Sequence, residues 1–258
     1  MAEENQIDGR LDFKYESSWD DLLENERFNR ELCNDILQPY IVKQRWYGGK
    51  ASALKYLEII DSFPIEDEKD RFYGIVLEVN FQEAFVQNYF LPIAFIKDQS
   101  LVGDKIIARL RLEGEEGFLV DALLLESFRK QIFLKILEGE KYRYKEIAYR
   151  RGRSNTLAGY ESSRLMGVEQ SNTSIIYNDS CILKIFRRVY VDENPDYEIS
   201  KYLTMKGFFK NTPKYLGSIT LKFSDKNVIT LGLMQELVPN EGDAWEYFTH
   251  YLKHIFKE

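Results

Sequence analysis

Histidine and cysteine are almost missing from this chain, two of each in 258 residues. Cys33 and Cys181 lack the paired spacing of a metal knuckle or a redox motif, so they read as half-buried thiols of a reducing compartment. Basic excess is missing too: 35 Lys and Arg stand against 42 Asp and Glu, a formal net charge of -7. That balance excludes a general nucleic-acid binder, which needs cations to displace counterions from phosphates. The densest basic patch, Tyr149-Arg150-Arg151-Gly152-Arg153, lies between acidic segments and reads as a solvated linker. No apolar run is long enough to span a bilayer, and "MAEENQIDGR" has no signal-peptide core. The expectation is a cytoplasmic protein with neither membrane nor nucleic acid as a partner.

What is present is enough for a real core: 44% hydrophobic and 30% charged residues mark a soluble globular chain of one large or two small domains. From Ser17-Ser18, "WDDLLENERFNRELCNDILQPYIVKQRW" reads as a helix, with Trp19, Leu22, Leu23, Phe28, Leu32, Ile36 and Leu37 at helical spacing. Pro39 should end or bend it, and Gly48-Gly49 should supply a left-handed stop. From Leu54 the period shortens. "LKYLEIIDSFPI", "RFYGIVLEVNF", "EAFVQNYFLPIAF", "KIIARLRLE" and "GFLVDA" read as strands, the last two joined by Gly114-Glu115-Glu116-Gly117. "ALLLESFRKQIFLKILEG" returns to helical spacing, and the polar stretch behind it, to about residue 162, reads as a mobile connection. Then come a hairpin turning at Asn178-Asp179, a helix started by Asn194-Pro195 and stopped at Gly207, and strands in "PKYLGSITL" and "NVITLGLMQELV". Asp243, with Glu246 three residues on, caps a final helix. The fold class is α+β: a helix and antiparallel sheet over 1–122, a second antiparallel sheet with one helix over 123–240, and a new helix in 241–258.

The stretch "VEQSNTSIIYNDSCILKIF", residues 168–186, carries the candidate chemistry. Alternation puts Ile182 and Lys184 on one face of a strand and Leu183 and Ile185 on the other. Taken alone, a strand lysine is an edge residue snorkelling to water about twice as often as a ligand. Ser171, Asn172 and Thr173 taken alone make ordinary turns. Glu198 taken alone is a solvated carboxylate at a helix start. Their order is the telling feature: polar loop, strand Lys184, helix Glu198, then a strand ending at Glu236-Leu237-Val238. A strand lysine paired to a helix glutamate is how kinase-like folds hold nucleotide phosphates, and backbone after the last strand pairs with the adenine edge.

The segments "QRWYGGK" (44–50), "VEQSNTS" (168–174), "ILKIFRR" (182–188), "NPDYEISKYLT" (194–204) and "QELVPNEGDAWEYF" (235–248) resemble the amino-terminal half of bacterial maltokinases, including the maltokinase-like region fused to trehalose synthase. The resemblance implies an amino-terminal cap domain over 1–122, a protein-kinase-like N-lobe over 123–240, and ATP-dependent phosphorylation of maltose to maltose 1-phosphate in trehalose and α-glucan metabolism. It implies ATP and Mg2+ as the cofactors of the full-length parent, with none required for folding. It also assigns nucleotide binding to Ser171, Asn172, Thr173, Lys184, Glu198, Glu236 and Val238. Trp46 and Tyr47 of "QRWYGGK" are expected to be structural aromatics.

The departure from the family is equally definite. Residues 239–258 are all that follow the last strand, no His-x-Asp catalytic loop occurs, and both histidines, His250 and His254, lie on the final helix. Phosphoryl transfer needs a group to orient the nucleophile and carboxylates to hold metal. The chain is therefore expected to be a fragment, inactive alone, with no catalytic residue or metal ligand of its own. The alternative is a non-catalytic scaffold, partnered by a trehalose synthase domain or by self-association through the terminal helix.

Overall fold

The computed structural model describes residues 12–66, 70–139, 143–144, 147–153, 157–167, 171–207, 209–222, 227–240, 242 and 244–256. The amino-terminal helical segment starts at Asn25, not at Ser18. The Asn25 side chain accepts from the Phe28 amide, and α1 (Glu26–Glu31) runs into a π-type stretch (Leu32–Leu37) and then α2 (Gln38–Ile41). The late start follows from Trp19, whose indole donates to the Arg71 carbonyl and whose ring packs against Tyr73 and Phe95. That anchoring pulls residues 17–24 onto the sheet, leaving only a short 3-10 turn at Leu22–Glu24. Pro39 lacks the donor for the carbonyl four residues back, and the widened stretch lies immediately before it.

The first sheet has the order β1-β5-β6-β4-β3-β2 (Asp12–Tyr15, Ile106–Leu112, Glu115–Asp121, Val86–Ile96, Arg71–Phe81, Leu54–Glu66). It is mixed, not antiparallel as expected: β1, a strand not foreseen, pairs in parallel with β5. The β5–β6 turn is Glu113-Gly114, both at positive φ, so Glu115 and Glu116 belong to the strand. Long strands with little polar alternation follow from burial on both faces. Along β3, Tyr73, Ile75, Leu77 and Val79 pack toward the α1–α2 segment, and Phe72 and Val76 pack the other way.

Below that second face lies α3 (Glu126–Glu138), which buries Phe128, Ile132, Phe133 and Ile136. Beneath α3 is the second sheet, in the order β7-β8-β13-β14-β11-β10-β9 (Arg143–Tyr144, Ile147–Arg151, Tyr215–Lys222, Val228–Glu236, Cys181–Phe186, Asn172–Tyr177, Ser163–Leu165). The expected solvated linker and mobile connection are thus partly strand. Ile147, Ala148 and Tyr149 are buried, β8 covers the edge of β13, and Lys135 of α3 lies over the Tyr149 ring. A charged surface hid an apolar inner face there. The chain leaving β11 crosses to the first sheet, where β12 (Arg188–Val189) pairs with β4. It returns as α4 (Pro195–Met205), capped by Asn194 as its sequence announces. The last helix, α5 (Ala244–Ile255), buries no residue; its expected cap Asp243 lies outside the described residues. No described helix is long and apolar enough to cross a membrane.

Both cysteines are buried rather than half-buried, and burial pushes each thiol up to about 11. Gly48 and Gly49 also depart from expectation, since neither has a positive φ. The reason for Gly49 is space: a Cβ there would lie 2.5 Å from the Phe81 ring and 2.6 Å from the Tyr47 hydroxyl. At Gly48 the nearest atoms would be 3.4 Å away. Gly49→Ala is expected to destabilise the fold by about 1–3 kcal/mol, with Gly48→Ala costing clearly less. Urea denaturation of the two variants side by side checks this.

Candidate functional site

The register of the second sheet places Lys184 between Ser174 on β10 and Leu233 on β14, with Ile176, Ile182 and Gln235 in the next cross-strand row. The predicted alternation holds: Cys181, Leu183 and Ile185 are buried, while Ile182 and Lys184 are half-buried. Helix α4 lies on the face that carries Lys184, because Gln235 donates to the Ser200 hydroxyl at 3.0 Å. Tyr197 packs against Tyr215, and the Tyr215 amide donates to Thr204. Lys184 and Glu198 therefore belong to one layer. They are not joined: among the described residues neither makes an ion pair, and Glu198 is on the exposed side of the helix.

Ser171 is exposed in the β9–β10 connection, whereas Asn172 and Thr173 are strand residues opposite Phe186 and Ile185. Gln170 and its two predecessors lie outside the described residues. The Thr173 hydroxyl is committed, accepting from Arg187 Nε at 2.8 Å. After β14, two backbone donors are also committed: the Glu236 amide to the Lys214 carbonyl and the Leu237 amide to the Ser180 carbonyl. The Glu236 carboxylate meets Lys214 at 3.4 Å. Val238 is half-exposed, its carbonyl accepts from Asn240, and its N–H has no partner among the described residues.

On the other face of β10 and β11 lies an interaction that the sequence reading missed. Arg187 is 3% exposed and bonds Thr173 through Nε and the Asp121 carboxylate through Nη2. Trp46 of "QRWYGGK" covers the guanidinium at 5.4 Å, and Nη1 is buried without a partner among the described residues. Asp121 also accepts from the Leu123 amide, so it caps the turn into α3. The signal was available: Leu183, Ile185 and Arg187 alternate onto the same inward face, and an arginine there requires a buried acid. Beside this group, a cleft of about 870 Å³ opens between the two sheets, lined among others by Tyr40, Lys43, Trp46, Lys105, Met166 and Thr173. Burial, reinforced by the Asp121 charge, pushes the Tyr40 phenol up, so it stays a neutral donor.

Residues 40–124 match the family model described as the maltokinase N-terminal cap domain. That stretch holds "QRWYGGK", strands β2 to β6 and Asp121. Among solved structures, a glucosamine kinase in complex with glucosamine, ADP and inorganic phosphate resembles the chain with a TM-score of 0.47 and 12% identity over 76% of this chain. A glucosamine kinase described as crystal form A gives a TM-score of 0.47 and 14% identity over 78% of this chain. The chain spans 39% of the length of each.

Asp121→Ala is expected to cost about 3–5 kcal/mol, because it leaves a buried guanidinium without its counter-charge. Joint replacement of Asp121 and Arg187 by apolar residues should recover much of that loss. Equilibrium unfolding of the single and paired variants reads out both effects.

Proposed function

We propose that this chain is the cap and nucleotide-binding half of a maltokinase-like phosphotransferase that converts ATP and maltose to maltose 1-phosphate and ADP. The observation that carries this reading is the coincidence of two features. A maltokinase cap match at 40–124 is followed by a sheet that runs β9-β10-β11-β14-β13 with a helix between its third and fourth strands in sequence. A kinase amino-terminal lobe has its phosphate-binding lysine on the third strand, ahead of the helix, and the position of Lys184 on β11 supports the reading.

In this reading ATP lies on the Lys184 face. The ammonium meets phosphate oxygens as a charge-assisted donor. The Glu236 carbonyl and the Val238 N–H, the groups left over after β14 has paired, address the adenine edge. Ser171 and the Asn172 amide close over the phosphates from the β9–β10 side, while Thr173 acts through Arg187 by holding the base of that connection. Glu198 supplies the carboxylate on the helix of the same layer, turned toward Lys184 when nucleotide is bound.

The chemistry beyond positioning needs a base for the sugar hydroxyl and carboxylates for magnesium. Among the described residues no group of three or more His, Cys, Asp or Glu side chains converges as a metal site. Magnesium in such sites is held by one or two carboxylates together with the nucleotide phosphates, and no carboxylate of this half is assigned that role. We assign nucleotide positioning to this half and maltose phosphorylation to the whole protein.

One lysine–phosphate contact contributes roughly 1.5–3 kcal/mol, while a millimolar dissociation constant already requires about 4 kcal/mol. The chain alone is expected to bind ATP no better than about millimolar, more weakly still as Lys184→Ala, and to form no maltose 1-phosphate. Micromolar ATP binding indifferent to Lys184→Ala, measured by calorimetry, would overturn the assignment. So would turnover of maltose by this chain.

A further inference from the structure

The two histidines of the chain are one helical turn apart on α5, and their Nε2 atoms are 3.1 Å from each other with the rings edge to face. We propose that His250 and His254 form a chelating site for a borderline or soft divalent transition metal of the zinc, nickel and copper class. Zinc–imidazole bonds are about 2.0–2.1 Å long. Two nitrogens on one ion are then about 2.9 Å apart at a right angle and about 3.4 Å apart at a tetrahedral angle. The observed 3.1 Å falls between these limits, so a single ion can reach both nitrogens without moving the helix backbone.

The alternative role for such a pair is a hydrogen bond from one neutral imidazole to the other. Both rings are exposed, and each nitrogen has water as a competing partner, so that bond adds little to stability. A metal ion gains from the arrangement in a way water does not. The helix has already restricted both ligands, so the second metal–nitrogen bond forms intramolecularly. Spacing of i and i+4 is the one that puts two imidazoles on the same face of a helix.

The surroundings favour an ion with open coordination positions. The pair lines a concavity with Gly242, Ala244, Glu246, Tyr247 and Tyr251. Glu246 lies one further turn toward the amino terminus, yet no third ligating side chain closes on the same point among the described residues. Water completes the shell. The donor set also separates this site from magnesium, a hard ion that takes oxygen ligands.

Titration of the full chain with zinc chloride and with nickel chloride in a non-chelating buffer, by calorimetry, tests the site. One ion per chain is expected, and His250→Ala and His254→Ala are each expected to weaken binding by about a hundredfold. Both residues are on an exposed helix that buries nothing, so the variants keep the fold. Imidazole Nε2 resonances of both rings should shift together on zinc addition. A wild-type chain that takes up no ion, or variants that bind like wild type, would overturn the proposal and leave a hydrogen-bonded pair only.

Discussion

A buried guanidinium organises this molecule. Arg187 stands at the crossing where the strand that carries Lys184 leaves the second sheet and enters the first. Its side chain is held by Asp121 at the end of β6, by Thr173 at the start of β10 and by the Trp46 ring. Its own carbonyl accepts from the Phe90 amide in β4 at 2.8 Å. A charge this deeply buried is tolerated only with a counter-charge and hydrogen bonds, so each of these partners is fixed in place by the cost of losing it.

That constraint has a consequence for how the two sheets behave. The apolar core is continuous from Phe63 and Phe90 in the first sheet, through Phe128 and Phe133 on α3, to Ile175 and Leu183 in the second. The first sheet and α1–α2 have a further core of their own around Phe28, Leu32 and Leu77. Arg187 adds direction to this packing. It ties the turn into α3 and the signature "QRWYGGK" to the strand pair that presents Lys184 on its opposite face. A disturbance of the cap segment at Trp46 or Asp121 therefore reaches β10 and β11 within one side chain.

Strands β2 to β6 of the first sheet, the Asn194-Pro195 helix start and the Asn178-Asp179 turn were legible because each is written locally. Long runs of Ile, Val, Phe and Tyr, a cap followed by proline, and a turn pair at φ 52° and 46° need no distant partner. What escaped reading depends on contacts far along the chain. β1 exists through a parallel ladder with β5, and β8 through the open edge of β13. The helix start moved to Asn25 because Trp19 is held by Arg71, and Gly49 is glycine because of Phe81. In the candidate site the alternation around Lys184 was correct. The commitment of Thr173 to Arg187, and of the Glu236 and Leu237 amides to neighbouring strands, belongs to pairings that no local pattern displays.

Hydrogen exchange of the wild-type chain and of Arg187→Met, followed by mass spectrometry, tests the coupling most directly. Loss of the guanidinium is expected to raise exchange together in three places: β10–β11 around Thr173, the β4–β12 pairing at Tyr89 and Phe90, and the Asp121–Leu123 turn. Protection lost only at the substituted strand, with β4 and the turn unchanged, would contradict it.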